Sequence, residues 1–164
     1  MTDDQFWAAI ETVRASAGSD TEARVDALGR HLSELTLEEI QDFQRKYDQM
    51  VHVANRWDLW GAAYLMNGGC SDDGFRYFCH WLISEGRERF ESAIADPDSL
   101  AEVPHRDYFE LESFAYEALK AYESKGGGEL ERDFTIELAS PVGEEWSEDD
   151  LPERFPRLAE KYEV

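Results

Sequence analysis

The 164-residue sequence is poor in cysteine and lacks any long apolar run. Its two thiols, Cys70 and Cys79, are too few for the disulfide framework of a small secreted domain, so we expect a reduced, cytoplasmic compartment. No stretch approaches the roughly 18 apolar residues that predict a membrane-spanning helix. The acidic opening residues lack the basic and apolar regions of a signal peptide, so none is expected.

Basic charge is scarce as well. The chain carries 37 acidic and 16 basic residues, a net charge of −21, of which residues 1–60, 61–128 and 129–164 contribute −6, −7 and −8. This balance excludes a general electrostatic attraction to nucleic-acid phosphates or to anionic lipid, so neither is an expected partner. It is typical of a solvated surface, and it also suits docking to a basic partner protein or imitation of nucleic acid.

Signatures of metal and nucleotide binding are missing. The four histidines are scattered, and the sequence has neither a Cys-x-x-Cys nor a His-x-x-x-His pair, so no metal site is expected. The glycines form neither a Gly-x-Gly-x-x-Gly loop nor a P-loop with its lysine. We therefore predict no cofactor.

Apolar residues at 42% of the chain, and aromatic residues at 13%, predict a folded globular protein. In the first third they recur at helical spacing behind three capping boxes, which predicts three helices, the last ending near Asn55. The boxes are Thr2 with Gln5, Ser19 with Glu22, and Thr36 with Glu39.

Two further helices are predicted in the centre. Residues 57–66 are apolar on nearly every side, so we expect this helix to be buried, and the Asn-Gly-Gly after it ends the helix. Ser71 then predicts a helix N-cap, with Asp72 and Asp73 in the first turn where they complement the helix dipole. The apolar stripe of this next helix runs to Ile83.

The second half of the chain is predicted to be helical up to a glycine run at 126–128. A short helix around Phe90 should stop before Pro97, and a longer helix is expected at residues 107–122. The alternating pattern of residues 134–138 suits a short strand, although a lone strand has nothing to pair with.

Beyond the glycine run, Trp146 falls in an acidic loop and residues 151–162 predict a last short helix. We therefore predict an all-α fold, a single compact multi-helix domain with an irregular acidic C-terminal segment and at most one short strand pair. Residues 1–125 are expected to form the helical domain, and residues 126–164 an acidic extension packed on it in part.

The two central helices and the turn between them are the strongest candidate for a binding site, because tryptophans, both cysteines and a glycine-rich acidic turn concentrate there. Asp72 and Asp73 are interpreted as helix-capping acids, with metal ligation or acid–base work as the alternative. Asp58 is expected to be buried and paired with Arg56, Arg76 or free helix N–H groups, with a ligand or catalytic role as the alternative. The candidate binding residues are Trp57, Asp58, Trp60, Cys70, Ser71, Asp72, Asp73 and Trp81.

Nucleophilic catalysis has weaker support. Cys70 precedes the positive end of a helix, where a thiolate is stabilised, but no histidine has an obvious claim to be its base, and a small buried thiol is the expected state. Ser71 lacks the Gly-x-Ser-x-Gly elbow of a serine nucleophile. Trp57, Trp60 and Trp81 can either line a pocket or fill the core.

Three runs in the same region form a long and specific motif. They are WDLWGAAYL at residues 57–65, GGCSDDGF at 68–75, and Tyr77-Phe78 with Trp81-Leu82-Ile83. Together with an opening Phe6-Trp7 helix, a Leu-x-x-Glu-Glu-Ile-x-x-Phe segment at 35–43 and Asp-Pro-Asp-Ser-Leu at 96–100, they resemble an uncharacterised bacterial family, the domain of unknown function family 4240. The resemblance covers about residues 3–125. It marks residues 57–83 as the signature and implies no reaction, cofactor or catalytic residue.

Two kinds of function remain after these exclusions. The first is a non-enzymatic protein-interaction or regulatory module with a protein partner, basic in one version, of which an immunity or antitoxin protein or a nucleic-acid mimic is an example. The second is an enzyme or a small-ligand or metal binder with its site at the signature. Monomer and homodimer are equally compatible with the sequence.

Overall fold

The computed structural model describes residues 1–132 and 139–164, and this part of the chain is all-α, as predicted. Within these ranges the one β-type pairing is an isolated parallel bridge between Arg56 and Val142. None of the described helices is both long and apolar enough to cross a membrane. The strand predicted at 134–138 lies outside the described residues.

The helices follow the predicted order through the first two-thirds of the chain. They are α1 (Asp3–Ala17), α2 (Thr21–Ser33), α3 (Leu37–Ala54), α4 (Trp57–Asn67), α5 (Asp72–Ser84) and α6 (Arg87–Ala95). The 3-10 helices η1 (Pro97–Glu102) and η2 (Glu112–Tyr116) then lead to α7 (Glu117–Ser124). Near the C-terminus lie η3 (Glu148–Asp150), α8 (Leu151–Arg154) and α9 (Pro156–Lys161).

Two of the three predicted capping boxes are confirmed. At α1, Thr2 Oγ1 accepts from the Gln5 N–H at 3.2 Å, while Gln5 Oε1 accepts from the Thr2 N–H at 2.9 Å. Thr36 and Glu39 exchange the same two bonds at the start of α3. Each box satisfies two backbone donors that have no partner inside the helix.

The box predicted at Ser19 and Glu22 is wrong by one residue. The N-cap of α2 is Asp20, whose side chain accepts from the Ala23 N–H at 3.2 Å. Aspartate caps a helix about as well as serine, so the later of two adjacent capping residues sets the start of this helix.

The helix predicted at residues 107–122 is wrong in its first half, because the chain is irregular up to Leu111. Asn67 holds this stretch: its Oδ1 accepts from the Phe109 N–H at 2.8 Å, and its Nδ2 donates to the Phe109 carbonyl at 3.3 Å. The Leu111 N–H donates to the Tyr77 carbonyl at 3.0 Å. These long-range bonds use backbone groups that a helix would need, and they hold Phe109 fully buried in the core.

The last predicted helix, at residues 151–162, is divided into α8 and α9 at Pro156. Proline has no N–H to continue a helix, and it disfavours helical geometry at the residue before it. Phe155 accordingly adopts φ −129° and ψ 69°, outside the helical region.

Residues 139–164 pack against α4 and η1. Gly61 of α4 allows close approach, since a Cβ at that position would lie 2.8 Å from Leu151 Cδ2 and 2.9 Å from Phe155 Cε2. The buried carboxylate of Asp98 in η1 accepts from the first two N–H groups after the proline of α9, at 3.2 and 2.9 Å. Asp98 thereby supplies the N-terminal cap that α9 lacks in its own sequence.

Helix α5 lies at the centre of the fold, in contact with α1, α3, α4, α6 and η2. On its inner face Phe78, Trp81 and Ile83 have no exposed surface. Because the inner face is held on several sides, the polar residues on the other face are set in fixed positions beside α3, where the candidate site lies.

Candidate functional site

A cleft of about 480 Å³ opens between α3 and α5. Its described wall is completed by Trp60 of α4, by η2, by Arg132 and by residues 139–141. The volume falls within the roughly 300–1,000 Å³ that is usual for ligand sites. The cleft combines apolar side chains with a small set of charged ones, and the charged ones are arranged at two depths.

The floor of the cleft carries a buried ion pair. The side chain of Asp48 on α3 is 9% exposed, and its Oδ1 accepts from Arg132 Nη2 at 2.9 Å. Gln44, one turn earlier on α3, donates to the same oxygen at 2.9 Å. A carboxylate this deep is stable only when it is paired, and removing one partner of such a pair is strongly destabilising.

Next to this pair, Tyr47 and His80 join α3 to α5. The Tyr47 hydroxyl and His80 Nδ1 are 2.8 Å apart, and the two rings stack with centroids 5.6 Å apart. Burial, aided by the positive charges of Arg132 and Arg76, lowers the pKa of His80 to about 4. Burial also raises the pKa of Tyr47 well above its usual value. Both rings are therefore neutral at pH 7.

Carboxylates flank the mouth of the cleft. Glu112 is the main cause of a raised pKa at Tyr77, burial adds to it, and Asp73 raises it further, while Arg76 opposes the shift. Glu112 also accepts a hydrogen bond from the Tyr116 hydroxyl at 2.9 Å. The carboxylates and burial together outweigh the positive charge of Arg76 at this phenol.

The signature turn starts α5 at the edge of this mouth. Ser71 Oγ accepts from the Gly74 N–H at 3.1 Å and is the N-cap, as predicted. Asp72 and Asp73 follow in the first turn, are exposed, and line the cleft. Asp73 lies 3.8 Å from Arg76 one turn later. The structure therefore places the helix cap, Ser71, directly before two residues of the cleft wall, Asp72 and Asp73.

Asp58 lies elsewhere. Its carboxylate pairs with Arg56, with Nε to Oδ1 at 3.1 Å, and it accepts from the Leu59 N–H at 2.7 Å. Its side chain is 35% exposed, so it is less buried than the sequence suggested. It is not among the residues that line the cleft.

The tryptophans of the signature form an aromatic stack. Trp60 lies between Trp57 and Phe75, with centroid distances of 5.1 and 5.4 Å and nearly parallel rings, and Trp146 meets the two indoles edge-on. Trp60 Nε1 donates to the Cys70 carbonyl at 2.9 Å, and Trp146 Nε1 donates to the Trp57 carbonyl at 2.7 Å. The stack fastens the C-terminal segment to α4, and Trp60 alone of these indoles lines the cleft.

Trp81 and the thiols are placed differently from a ligand-binding set. Trp81 is fully buried, packs on Phe78 and Phe109, and offers no surface to a ligand. Burial, with a smaller contribution from Glu110, raises the pKa of Cys70 to about 11. The pKa of Cys79, on the cleft wall, is also raised by burial. Among the described residues, no group of three or more His, Cys, Asp or Glu side chains could hold a metal ion.

Three polar residues that line the cleft, Asp48, His80 and Arg132, escaped the sequence-based selection, as did Tyr47, which bonds His80. Tyr47 lies in the long apolar stripe of α3, and for Asp48 the four-residue spacing from Gln44 on the same helix was the available signal of a polar pair. Arg132 lies 84 residues from Asp48 in the chain, and no sequence pattern joins them.

Fold and cleft together define a small all-α domain with a charged cleft between two of its helices. Residues 1–124 match the family described as "Protein of unknown function (DUF4240)", and the chain belongs to this family. No curated protein and no solved structure is significantly similar to the chain. Asp48, His80 and the mouth residues lie within the matched part, whereas Arg132 and Trp146 lie outside it.

Proposed function

We propose that the protein is a non-enzymatic interaction module that binds a basic segment of a partner protein at this cleft. The observation that carries the proposal is the group of carboxylates at the mouth, where Asp72 and Asp73 line the cleft and Glu112 bonds Tyr116, in a chain of net charge −21. Complementary charge steers a basic partner toward such a surface and favours it over acidic competitors. An immunity or antitoxin protein that neutralises a basic partner is one version of this function.

The protonation states near the cleft support a binding role over catalysis. A thiol with a pKa of about 11 is almost wholly protonated at pH 7, and the Ser71 hydroxyl is engaged as a helix cap. His80, with a pKa of about 4, is a poor proton acceptor at that pH. The two free thiols suit the reduced cytoplasmic compartment that we propose for the protein.

The test uses a synthetic octapeptide of alternating arginine and glycine as the basic probe, with a glutamate–glycine peptide as its acidic counterpart. Binding is followed by tryptophan fluorescence at several salt concentrations. We expect the basic peptide to bind and the acidic peptide not to bind. The association rate of the basic peptide should fall as the salt concentration rises, because salt screens the charges that steer it toward the cleft.

Variants locate the interaction. Asp73→Asn with Glu112→Gln removes two charges at the mouth and should slow association several-fold. Asp26→Asn with Glu34→Gln removes the same charge from exposed positions on or next to α2 and is the matched control. Equal effects of the two double variants, or association that does not depend on salt, would contradict a partner site at the mouth.

A small molecule is the second candidate occupant, and the cleft volume of about 480 Å³ is the observation that favours it. Native mass spectrometry of the protein purified gently from its own host separates the two. A bound small-molecule mass supports a ligand-binding or enzymatic role, whereas a second polypeptide supports the interaction module.

A further inference from the structure

The ion pair on the cleft floor joins a residue inside the family-matched part of the chain to a residue outside it. Asp48 belongs to the part that matches the family, whereas Arg132 follows that part by several residues. The guanidinium enters a cleft whose other described walls come mainly from α3, α5 and η2. Arg132 thus pairs with a carboxylate of the family domain in the way that a ligand would, although it belongs to the same chain.

The way in which Arg132 uses Asp48 leaves room for a better partner. Its Nη2 and the Gln44 amide both donate to Oδ1, and no hydrogen bond from the described residues reaches Oδ2. An arginine that meets a carboxylate with two parallel bonds is held more tightly and more specifically than one with a single contact. At the Asp48 carboxylate, a guanidinium that bonds both oxygens would therefore improve on the one bond to Oδ1.

The walls of the cleft also suit a guanidinium. Trp60, Tyr77 and Tyr116 place aromatic rings along the cleft, and planar guanidinium groups stack on such rings. Lysine offers neither the fork of donors nor the flat face, so the chemistry of the floor and of the walls favours arginine over lysine.

We propose that Asp48 is the recognition point for an arginine side chain of the partner, and that Arg132 is a built-in occupant which the partner arginine displaces. This inference rests on the proposed function, since it names the residue that the basic segment inserts. Arg132 then regulates the site, because binding requires its side chain to leave Asp48.

The experiment measures binding of N-acetyl-arginine amide to the full-length chain by thermal shift and tryptophan fluorescence. Citrulline with an acetylated α-amine and an amidated carboxyl group has nearly the same shape as the arginine probe but lacks the positive charge. Lysine blocked in the same way keeps a positive charge on its free ε-amine but lacks the planar pair of donors. Arg132→Ala vacates the carboxylate, and we expect this variant to bind the arginine probe at least tenfold more tightly than the wild type. The citrulline and lysine probes should show no such gain.

Asp48→Asn, alone and combined with Arg132→Ala, tests the other half of the pair. Both variants should lose the binding of the arginine probe, while the combined variant keeps the cleft vacant. Binding that is no tighter in Arg132→Ala than in the wild type, or that survives Asp48→Asn, would overturn the proposal. Equal gains for all three probes would overturn the arginine specificity.

Arg132→Gln provides a second, less disruptive vacancy if the alanine variant does not fold. The wild-type chain is also informative by itself, because displacement of Arg132 should shift the side-chain amide resonances of Gln44 when the arginine probe is added. Unchanged resonances at saturating probe would count against displacement.

The two proposals fail in different ways. If the basic octapeptide binds at the mouth but binding of the arginine probe is unchanged in Asp48→Asn, the interaction module is supported and the arginine site is refuted. If Asp48→Asn abolishes binding of the arginine probe while the variants at the mouth leave octapeptide binding unchanged, the arginine site on the floor is supported and the proposed partner surface is refuted.

Discussion

Burial decides the protonation of the reactive side chains around the cleft. The pKa of Cys70 is raised to about 11 and that of His80 is lowered to about 4, in each case mainly because burial penalises the charged form. Thiol and imidazole are consequently both neutral at pH 7. In a thiol enzyme, by contrast, a thiolate and a protonated histidine stabilise each other.

We expect Cys70 to react slowly with iodoacetamide at pH 8. A pKa of about 11, compared with the usual 9.0, reduces the thiolate fraction about 100-fold. Alkylation followed by mass spectrometry should therefore be at least tenfold slower at Cys70 in the native chain than in glutathione, and urea should abolish the difference. A native rate equal to that of glutathione would revive Cys70 as a nucleophile.

His80 should make the fold sensitive to acid. Its pKa is about 4 in the folded state against 6.5 for a free histidine, so the unfolded chain binds a proton that the folded chain does not. Its contribution to stability is complete above pH 6.5 and is lost as the pH falls toward 4, by up to about 3 kcal/mol. We expect His80→Gln to reduce the fall in the free energy of unfolding between pH 7 and pH 5.

Urea unfolding at pH 7, 6 and 5 checks this expectation, with His52→Gln as the control because His52 is an exposed histidine on α3. The comparison between variants isolates the histidine from the many carboxyl groups, which titrate in all of them. A pH dependence of His80→Gln identical to that of the wild type would show that His80 titrates normally.

Individual side chains also show which parts of a site a sequence can reveal. Ser71 was found together with its correct role because an N-cap depends on neighbours three residues away. Asp48 was missed because its role depends on Arg132, which only the tertiary fold brings to it. Trp81 was selected although it is a core residue, since composition alone does not reveal which side of α5 faces inward.

Helix boundaries were predicted correctly where hydrogen bonds between residues close in the sequence determine them. The starts of α1, α3 and α5 follow from side-chain caps, and the end of α4 follows from Gly68, all of which act within one turn. The helix expected at residues 107–122 failed because Asn67 binds the backbone of Phe109 from 42 residues away. Apolar spacing there was compatible with a helix, but the long-range hydrogen bonds took precedence.

The contact between α4 and the C-terminal segment depends on the absence of a side chain at Gly61. In Gly61→Ala the new methyl would lie 2.8 Å from Leu151 Cδ2 and 3.1 Å from Trp146 Nε1. Such overpacking typically costs about 1–3 kcal/mol, more than the roughly 1 kcal/mol that alanine gains over glycine in a helix. We expect Gly61→Ala to destabilise the chain in urea unfolding.

Gly29→Ala in α2 is the matched control for this change. The added methyl would lie 2.7 Å from Glu117 Oε2, the mobile end of a flexible side chain that can move away. The helix preference of alanine should therefore prevail, and we expect a gain of about 0.5–1 kcal/mol. A stabilising Gly61→Ala would mean that the C-terminal segment does not pack closely on α4.

Residues 139–164 are attached to the family domain at several separate points. Val142 exchanges backbone bonds with Asn55 and Trp57, each at 3.0 Å. Trp146 covers the aromatic stack, and Asp98 caps α9. The family match ends at residue 124, but the packing of this chain continues beyond it.

These attachments predict that residues 1–125, although expected from the sequence to form the helical domain, do not fold stably without the rest. Leu151, Phe155 and Leu158 are buried in the common core, and each contributes about 1.5–3 kcal/mol. Their loss is comparable with the whole stability of a typical domain, about 5–15 kcal/mol. A chain truncated after residue 125 should bind a hydrophobic dye and lack a cooperative thermal transition, whereas one ending at residue 162 should unfold like the full-length protein. A sharp transition of the shorter chain within a few degrees of the full-length protein would contradict this prediction and show that residues 126–164 are dispensable for folding. In that case Arg132 could leave Asp48 without affecting the stability of the helical domain.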